Sequence, residues 1–442
     1  MNDGLTAAEG RTPVARRPFA VQIGWTLAVR LLMTANSVVA GIIVARWLGA
    51  DGLGQLGVIN VTVAMVVQLG SAGLPSANTY FIAKDHSQLR SVALNSLLFA
   101  TIVGSLLAVA LSVLAQTRPG WFGFISPELI KIAAISIPFQ LVTLIGLNIF
   151  LALGNVRRFN LLDLLGQSFV MINALVALIV LHSGLTTLVT LNTAAAVAVG
   201  LIVIVLVAMY PTSFRSWRFD LNLLGRMINY GLKFHLSIVA AALMFRADLL
   251  VVNHFHGAGV AGVYSVASQV ATMLMMLPGV IATLLFPRIT AEQDVGGETT
   301  SRITRHTVFV MLLICLFAVP LSFLLPVLYG RPFSDATVQL LILLPGVYLI
   351  GVQSVFAQHF NAIGLPRAVP AFWVLTLLAH VALLLVLVPP LGARGAALAS
   401  LLSYVMIFAL MFFYFRSSTG RSSGDTLMLS AGELCQLFQM KR

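Results

Sequence analysis

Long apolar segments fill almost the whole of this 442-residue chain, and they restrict it to one kind of fold. Hydrophobic residues make up 59% of the chain, charged residues only 9%, and the mean hydropathy is +0.99. A soluble domain carries about 25% charged residues. So much apolar surface cannot be hidden inside a water-facing globule, and the chain must therefore use the lipid bilayer as its solvent.

Twelve segments are long enough to cross a bilayer, because a span needs roughly 20 apolar residues. They are too long and too continuously apolar for the strands of a membrane barrel. We therefore predict an all-α polytopic membrane protein with twelve transmembrane helices. The predicted spans are 21–45, 55–82, 92–115, 129–153, 160–182, 185–210, 228–254, 259–287, 307–328, 336–361, 369–389 and 393–415.

The polar stretches are short. The longest are the first 20 residues, the loop 289–306 and the tail 417–442, and none is large enough for a folded catalytic domain. We predict that the chain is not an enzyme and needs no cofactor. The N-terminus is not expected to be a cleaved signal, because the apolar run that follows it is too long. Cys315 and Cys435 form neither a disulfide framework nor a metal motif.

The formal net charge of +12 is read first as a topology signal rather than as a nucleic-acid site, because the basic residues lie in loops. With the N-terminus placed in the cytoplasm, 18 of the 26 Lys and Arg residues fall on the cytoplasmic side, five on the outer side and three within spans. This asymmetry predicts twelve spans with both termini in the cytoplasm.

The chain also resembles a duplication. Leu48-Gly49-Ala50-Asp51-Gly52-Leu53-Gly54 follows the first span, and His256-Gly257-Ala258-Gly259-Val260-Ala261-Gly262 follows the seventh, 208 residues later. Gly154-Asn155-Val156-Arg157 and Gly364-Leu365-Pro366-Arg367 give a second match, offset by 210. Because six is even, two six-helix halves would share one orientation, with a site between them near the middle of the membrane.

This duplication sets the predicted domains. They are a cytoplasmic N-terminal tail (1–20), a six-helix N-terminal lobe (21–210), an interfacial linker (211–227), a six-helix C-terminal lobe (228–416) and a cytoplasmic tail (417–442). The tail includes a short amphipathic stretch, Leu427 to Phe438, interpreted as a frayed end against lipid headgroups.

Charged residues inside spans are the sharpest functional signal, since each costs about 2.5–3.5 kcal/mol at a helix centre. Arg30 lies about 15 Å into the first span and shares a face with Thr26, Thr34, Ser37 and Gly41. We expect it to line a cavity. The alternatives are that it snorkels to the interface or pairs inside the N-terminal lobe.

Span seven carries Arg246 and Asp248, which point to opposite faces of a continuous helix. Arg246 would share a face with His235 and Asn253, and Asp248 with Ser237 and Lys233. We favour Arg246 in the cavity, where an anionic substrate would supply its partner. Asp248 is then either an ion or proton site or a structural carboxylate.

Neutral polar side chains and helix breakers complete the candidates. Asn60 and Gln68 in span two, with Lys233 and Asn253, are candidate substrate-binding residues, although neutral polar groups in spans are often interhelical contacts. Gly73, Pro75, Pro278 and Gly279 are candidate hinges. Met273, Met275 and Met276 are interpreted as packing.

Two apparent motifs are discounted. Gly52-Leu53-Gly54-Gln55-Leu56-Gly57 fits the dinucleotide pattern GxGxxG, but no strand precedes it, and a tight turn with close helix approach is the better interpretation. His254-Phe255-His256 lacks a third metal ligand nearby.

These features together resemble the MOP superfamily, and within it the oligosaccharide (O-antigen, Wzx-type) flippases. The stretch from Ala45 to Leu56 is similar to the family's Leu-Gly-x-x-x-x-Gly turn, and Leu153-Gly154-Asn155 also fits. The related lipid II flippases usually have fourteen spans. Drug and cation antiporters of the superfamily usually carry acidic residues in the N-terminal lobe, where this chain offers only Asp163.

The resemblance and the charges favour a flippase for polyprenyl-diphosphate-linked oligosaccharide, in which Arg30 and Arg246 neutralise the diphosphate. No GxxxxGK[ST] motif is found, so a proton or sodium gradient, the membrane potential or removal of the product by polymerisation would supply energy. Membrane lipids and other polysaccharide-assembly proteins are the expected partners, and nucleic acid is not. The alternative is an ion-coupled antiporter of small organic cations that uses Asp248. A polymerase or ligase is disfavoured, because no outer loop exceeds about 15 residues.

Overall fold

The computed structural model describes residues 19–123, 125–210, 218–276, 278–279, 294 and 296–428, with side chains from residue 24 onward. Within these residues the chain forms helices and turns and no strand. The predicted N-terminal tail before Phe19, the linker 211–217, the end of span eight and the stretch after Met428 lie outside the described residues.

The N-terminal lobe is built from seven of the described helices. They are α1 (Phe19–Gly70), α2 (Leu74–Lys84), α3 (Leu89–Thr117), α4 (Pro127–Ala134), α5 (Ile137–Ala152), α6 (Val156–Ala174, continued by a π-helical turn, Leu175–Val180) and α7 (Leu185–Ala208). Span two is divided between α1 and α2, and span four between α4 and α5, because the helices are interrupted at 71–73 and 135–136.

Eight more helices make up the second half. They are α8 (Leu221–Met244), α9 (Ala247–Leu274), α10 (Glu298–Ser322), α11 (Leu325–Tyr329), α12 (Ser334–Ala362), α13 (Ala368–Leu391), α14 (Ala393–Thr419) and α15 (Ser423–Leu427). Helix α8 starts inside the segment predicted as linker, because the Asp220 side chain accepts a hydrogen bond from the Leu223 amide and caps it.

The long helices supply twelve membrane crossings, as predicted. Ten helical stretches of the described chain are long and apolar enough to span a membrane, but Gly24–Gly70 has 47 residues and Leu221–Leu274 has 54. A straight helix of that length would be about 70–80 Å long, against a hydrocarbon core of about 30 Å. Each of the two contains a glycine with non-helical backbone angles, Gly49 or Gly257, and each supplies two crossings.

The backbone supports the repeat seen in the sequence. Gly49 has φ 69° and ψ −171°, and Gly257 has φ 82° and ψ 174°. Gly154 and Gly364 also share a positive φ, 71° and 104°. A positive φ is costly for residues with a Cβ. The same local backbone geometry therefore requires glycine at these turns in both halves.

The two halves meet backbone to backbone at one end of the bundle, which we call the outer seam (Ala50, Gly54, Ala258 and Gly262). A Cβ on Gly54 would lie 2.6 Å from the carbonyl carbon of Ala258, and one on Gly262 would lie 3.0 Å from that of Ala50. Ala50 and Gly54 lie 208 residues before Ala258 and Gly262, so the two contacts join equivalent positions of the repeat. Only glycine permits this approach.

Side chains extend the outer seam. The Arg46 guanidinium donates to the carbonyl of Leu328 at 2.8 Å and to that of Val327, and the Asn253 amide donates to the carbonyl of Phe122 at 3.1 Å. Each bond joins one lobe to the other. This end carries few basic residues and is the predicted outer face.

A second contact, the inner seam (Gly73, Tyr80, Gly231 and Tyr230), joins α2 to α8 on the side of the basic loops. A Cβ on Gly231 would lie 2.6 Å from the carbonyl oxygen of Gly73. The rings of Tyr80 and Tyr230 stack with centroids 4.3 Å apart. The lobes therefore touch toward both ends of the bundle.

Candidate functional site

A cavity of about 760 Å³ lies between the two lobes, and we call it the interface cavity. Its walls come from α1, α6 and α7 on one side and from α8 and α9 on the other. Its charged lining residues among those described are Arg30, Arg246 and Asp248. Three of the four charged candidates from the sequence therefore reach one space, and Lys233 is not among the lining residues.

A second cavity, of about 710 Å³, lies inside the N-terminal lobe, and we call it the N-lobe cavity. Helices α1 and α4 to α7 line it, and Arg246 is its lining residue from the other lobe. The two cavities adjoin, since seven residues line both. These are Ser37, Leu56, Asn60, Gln167, Val170, Asn192 and Arg246.

Arg30 lines the interface cavity and also forms an ion pair. Its Nη1 lies 3.2 Å from Oδ2 of Asp163 on α6, and the side chains are 42% and 25% exposed. Two of the alternatives raised by the sequence therefore coexist at Arg30. Because the guanidinium has five N–H donors, one carboxylate leaves donors free to bind an anion.

Arg246 has a different environment. The expected continuous helix is wrong here, because α8 ends at Met244 and α9 begins at Ala247, with Arg246 as the residue before its first turn. The side chain is half-buried, lines both cavities, and has no hydrogen-bond or ion-pair partner in the part of the chain that the structure describes. A cation held without a partner within the membrane is expensive and points to a function.

Asp248 is 3% exposed and lies at the edge of the interface cavity. The Tyr264 hydroxyl donates to its Oδ2, Ser400 on α14 donates to the same oxygen at 3.3 Å, and the Leu249 amide donates to Oδ1 at 2.8 Å. The carboxylate therefore links the two parts of α9, on either side of the Gly257 kink, to α14. Its hydrogen-bond partners are all neutral, so no basic side chain in the described part of the chain pairs with its charge.

The neutral polar candidates divide between the cavities and helix contacts. Asn60 lines both cavities, and Gln68 lines the N-lobe cavity. The Gln269 amide donates to the Ser37 hydroxyl at 2.8 Å and joins the lobes across the interface cavity. Asn78 instead binds the Ile145 carbonyl at 3.2 Å and accepts from Ser96, which is a packing role.

Other predicted residues are placed elsewhere. Asn253 is 1% exposed in the outer seam, and exposed Lys233 is not among the residues that line either cavity. The helix break at Arg246 separates both from the face on which the sequence placed them. His235 contacts the Leu69 carbonyl at 3.3 Å, and His256 the Val388 carbonyl at 2.8 Å. Within the described residues no group of His, Cys, Asp or Glu could hold a metal.

The hinge and methionine candidates also have defined positions. Gly73 has φ 74° and precedes α2, with Pro75 in its first turn, so the break in span two is real. Pro278 and Gly279 follow the end of α9, beside residues that are not described. Met273, Met275 and Met276 line the interface cavity rather than only packing.

Sequence reasoning missed the polar walls of the N-lobe cavity. Ser136, Gln140 and Thr143 lie at helical spacing in span four, Ser136 just before α5 and the other two on it. Gln167 follows Asp163 by one turn of α6. This i, i+4, i+7 spacing was a signal that could have identified them. Asp163 as the partner of Arg30 could not be found this way, because 133 residues separate the two.

The sequence matches one protein family and one curated relative. The family described as "Polysaccharide biosynthesis protein" matches residues 20–293. "Probable flippase AglR" of Haloferax volcanii is 26% identical over 167 residues, which are 36% of this chain and 35% of that protein. The chain thus matches only about a third of the length of this curated relative.

Two solved structures are similar over almost the whole chain. "Lipid II flippase MurJ, inward closed conformation" has a TM-score of 0.77 at 14% identity, covering 94% of this chain and 92% of that one. An inward-facing "multidrug resistance MATE family transporter of the MOP superfamily" has a TM-score of 0.74 at 16% identity, covering 90% and 98%. With its sequence match and its apolar helices, the chain is a multi-pass membrane protein of the polysaccharide biosynthesis protein family, and it shares its fold with these two proteins.

Proposed function

We propose that this protein is a flippase that moves a polyprenyl-diphosphate-linked oligosaccharide from the cytoplasmic to the outer leaflet. The observation that carries the proposal is Arg246, a cation without a partner among the described residues, at the junction of two cavities within the membrane whose walls include neutral polar side chains. A diphosphate supplies the missing negative charge and several acceptor oxygens. Arg30, on the wall of the same cavity, adds a second guanidinium.

In this mechanism the diphosphate enters the interface cavity while the polyprenyl tail remains in the bilayer. The lobes then rock about their contacts, so that the outer seam opens as the inner seam closes. Gly73, Pro75, Pro278 and Gly279 are proposed to absorb the backbone changes. We place the protein in the bacterial inner membrane with both termini in the cytoplasm, where other polysaccharide-assembly proteins would deliver and use the lipid.

The family match and the flippase named among the relatives favour this activity over export of organic cations. A cation exporter needs an available carboxylate in the cavity. Asp163 is already paired with Arg30, and Asp248, which is 3% exposed and accepts three hydrogen bonds, presents no open surface to a bulky organic cation, although a proton or a small ion could still reach it. The groups left available therefore suit an anion.

The test is transport by the purified protein in liposomes that contain a polyprenyl-diphosphate oligosaccharide with a fluorescent terminal sugar. Arg246→Ala should lower the rate roughly 10-fold to 150-fold, the equivalent of about 1.5–3 kcal/mol for a bond to a charged group. Arg226→Ala is the matched control, because Arg226 is an exposed arginine on α8, outside both cavities. Wild-type transport by Arg246→Ala would refute the proposed role.

We further propose that Asp248 couples transport to a proton or sodium gradient. A buried carboxylate with only neutral partners can change its occupancy by one proton or one cation when the lobes move. An imposed gradient of the coupling ion should accelerate the wild-type protein. Asp248→Asn should transport at one rate with or without the gradient, whereas exposed Asp335→Asn should respond normally. A normal response of Asp248→Asn would rule out this coupling site.

A further inference from the structure

The N-lobe cavity differs in chemistry from the interface cavity. Its charged lining residues among those described are Asp163 and Arg246, and Asp163 is paired with Arg30. The remaining polar lining is carboxamide and hydroxyl. A cavity of about 710 Å³ is within the size range of small-molecule sites, roughly 300–1,000 Å³.

Much of the hydrogen-bonding capacity of the N-lobe cavity is unused. The side chains of Asn60, Gln68 and Gln167 have no hydrogen-bond partner in the described chain, and Asn60 and Gln167 are exposed at the junction of the two cavities. Gln140 donates to Ser136 at 2.9 Å, which leaves its carbonyl oxygen free to accept. A carboxamide has two donors and one acceptor in a plane. These groups match neighbouring sugar hydroxyls, each of which both donates and accepts.

We propose that the N-lobe cavity is the glycan compartment of the transporter and that it takes uncharged sugars. This rests on the proposed function, because the position of the diphosphate at Arg246 directs the first sugar toward Asn60 and Gln167. Arg246 is the cation that both cavities share, and the diphosphate occupies it. The carboxylate of a uronic acid deeper in this cavity would find Asp163 and no free basic residue among those described. Burial of a charge without a partner is costly, so acidic glycans are disfavoured.

The test measures binding to the full-length protein in nanodiscs with three probes. These are a polyprenyl diphosphate without sugar, the same lipid with a neutral hexose trisaccharide, and the same lipid with one hexose replaced by a hexuronate. The wild type should bind the neutral trisaccharide lipid most tightly, and the hexuronate lipid about tenfold more weakly.

The double variant Gln68→Leu/Gln140→Leu removes two amides that line only the N-lobe cavity. It should weaken binding of the neutral trisaccharide lipid about tenfold, since one hydrogen bond corresponds to roughly 2-fold to 13-fold. Affinity for the sugar-free lipid should stay within about twofold of the wild type. Gln55→Leu makes the same change outside both cavities and should alter neither affinity.

A gain of function keeps the test independent of folding defects. Gln68→Lys adds a cation to the cavity and should raise affinity for the hexuronate lipid about tenfold relative to the neutral one. The glycan compartment is overturned if the double variant loses affinity equally for the sugar-free and trisaccharide lipids. It is also overturned if Gln68→Lys gains no affinity for the hexuronate lipid. If the wild type binds none of the three lipids, the flippase proposal itself fails. If it binds sugar-free and trisaccharide lipids equally, only the glycan compartment fails.

Discussion

The outer seam should be the most sensitive point in the conformational cycle, because two backbone contacts close it. Gly54→Ala would place a methyl group 2.6 Å from the carbonyl carbon of Ala258 and 2.8 Å from the amide nitrogen of Gly262. Gly262→Ala would place one 2.9 Å from the Gly54 amide nitrogen. Ordinary van der Waals contact needs at least 3.4 Å, so the first substitution forces the helices apart by at least about 0.8 Å. Because the obstacle is backbone, no side-chain rotation can relieve it.

The expected energy follows from the cost of overpacking, typically about 1–3 kcal/mol. That cost applies only while the seam is closed, so it shifts the equilibrium toward open lobes by about 5-fold to 150-fold. An outward-separated state populated at about 1% would rise to between about 5% and 60%. The double variant should lie at or beyond the upper value.

Spin labels at Trp121 and Leu391, two exposed side chains at the outer ends of the two lobes, can report this shift. The native Cys315 and Cys435 would be replaced first. Pulsed electron resonance should show a longer inter-lobe distance that gains amplitude in Gly54→Ala and Gly262→Ala. Transport should slow, because the lobes no longer close fully on the outer side.

Gly225→Ala is the matched control, since a Cβ on Gly225 of α8 meets nothing within 4 Å. It brings the same gain in helix propensity, about 1 kcal/mol, without the clash. If the two seam variants give the same distance distribution as this control, close backbone approach does not hold the outer face shut.

Three further outcomes follow from other contacts. Gly231→Ala, whose Cβ would lie 2.6 Å from the Gly73 carbonyl oxygen, should bias the lobes the opposite way, and a cysteine at Tyr80 should then label faster than in the wild type. Arg30→Gln and Asp163→Asn should each slow transport, and the double variant should be no slower than the slower single one, because the two charges act as a pair; additive losses would contradict this. In the loop after α2, hydrogen bonds from the Ser87 side chain and amide lower the pKa of Asp85. The turn at 86–88 is therefore fully stabilised at pH values above the usual carboxyl pKa, and it loosens as the pH falls through the lowered pKa of Asp85. Amide exchange of Ser87 in the wild type and in Asp85→Asn checks this, and pH-independent protection in the wild type would contradict it.

The fold was largely predictable because its strongest signals are local. Span length and hydropathy determine where helices can cross, and the glycine turns at Gly49 and Gly257 recur at one offset because both need the same positive φ. The internal breaks were harder to locate. Span four divides at residues 135–136, where Ser136 bonds to the Ala133 carbonyl, and no proline or glycine interrupts that span before Pro138.

The site was predictable only for its charges. A charged residue in a span must face a cavity or a partner, and this rule alone brought Arg30, Arg246 and Asp248 forward. The faces assigned by helical periodicity failed at one place, where α8 and α9 separate at Phe245 and Arg246. Beyond a break the rotation is no longer 100° per residue, so periodicity could not relate the faces of Asn253 and Lys233 to those of Arg246 and Asp248.

That same break explains how one residue can serve both cavities. In a continuous helix Arg246 would present its side chain to a single face, and its backbone would be fully bonded within the helix. As the residue before the first turn of α9, it has φ −132°, and its guanidinium lines the interface cavity and the N-lobe cavity together. A rocking movement that changes the angle between α8 and α9 must move this guanidinium relative to the N-terminal lobe. We therefore expect the strength of diphosphate binding and the position of the lobes to be linked through Arg246, and a Phe245→Pro variant, which restricts the junction, should alter both together.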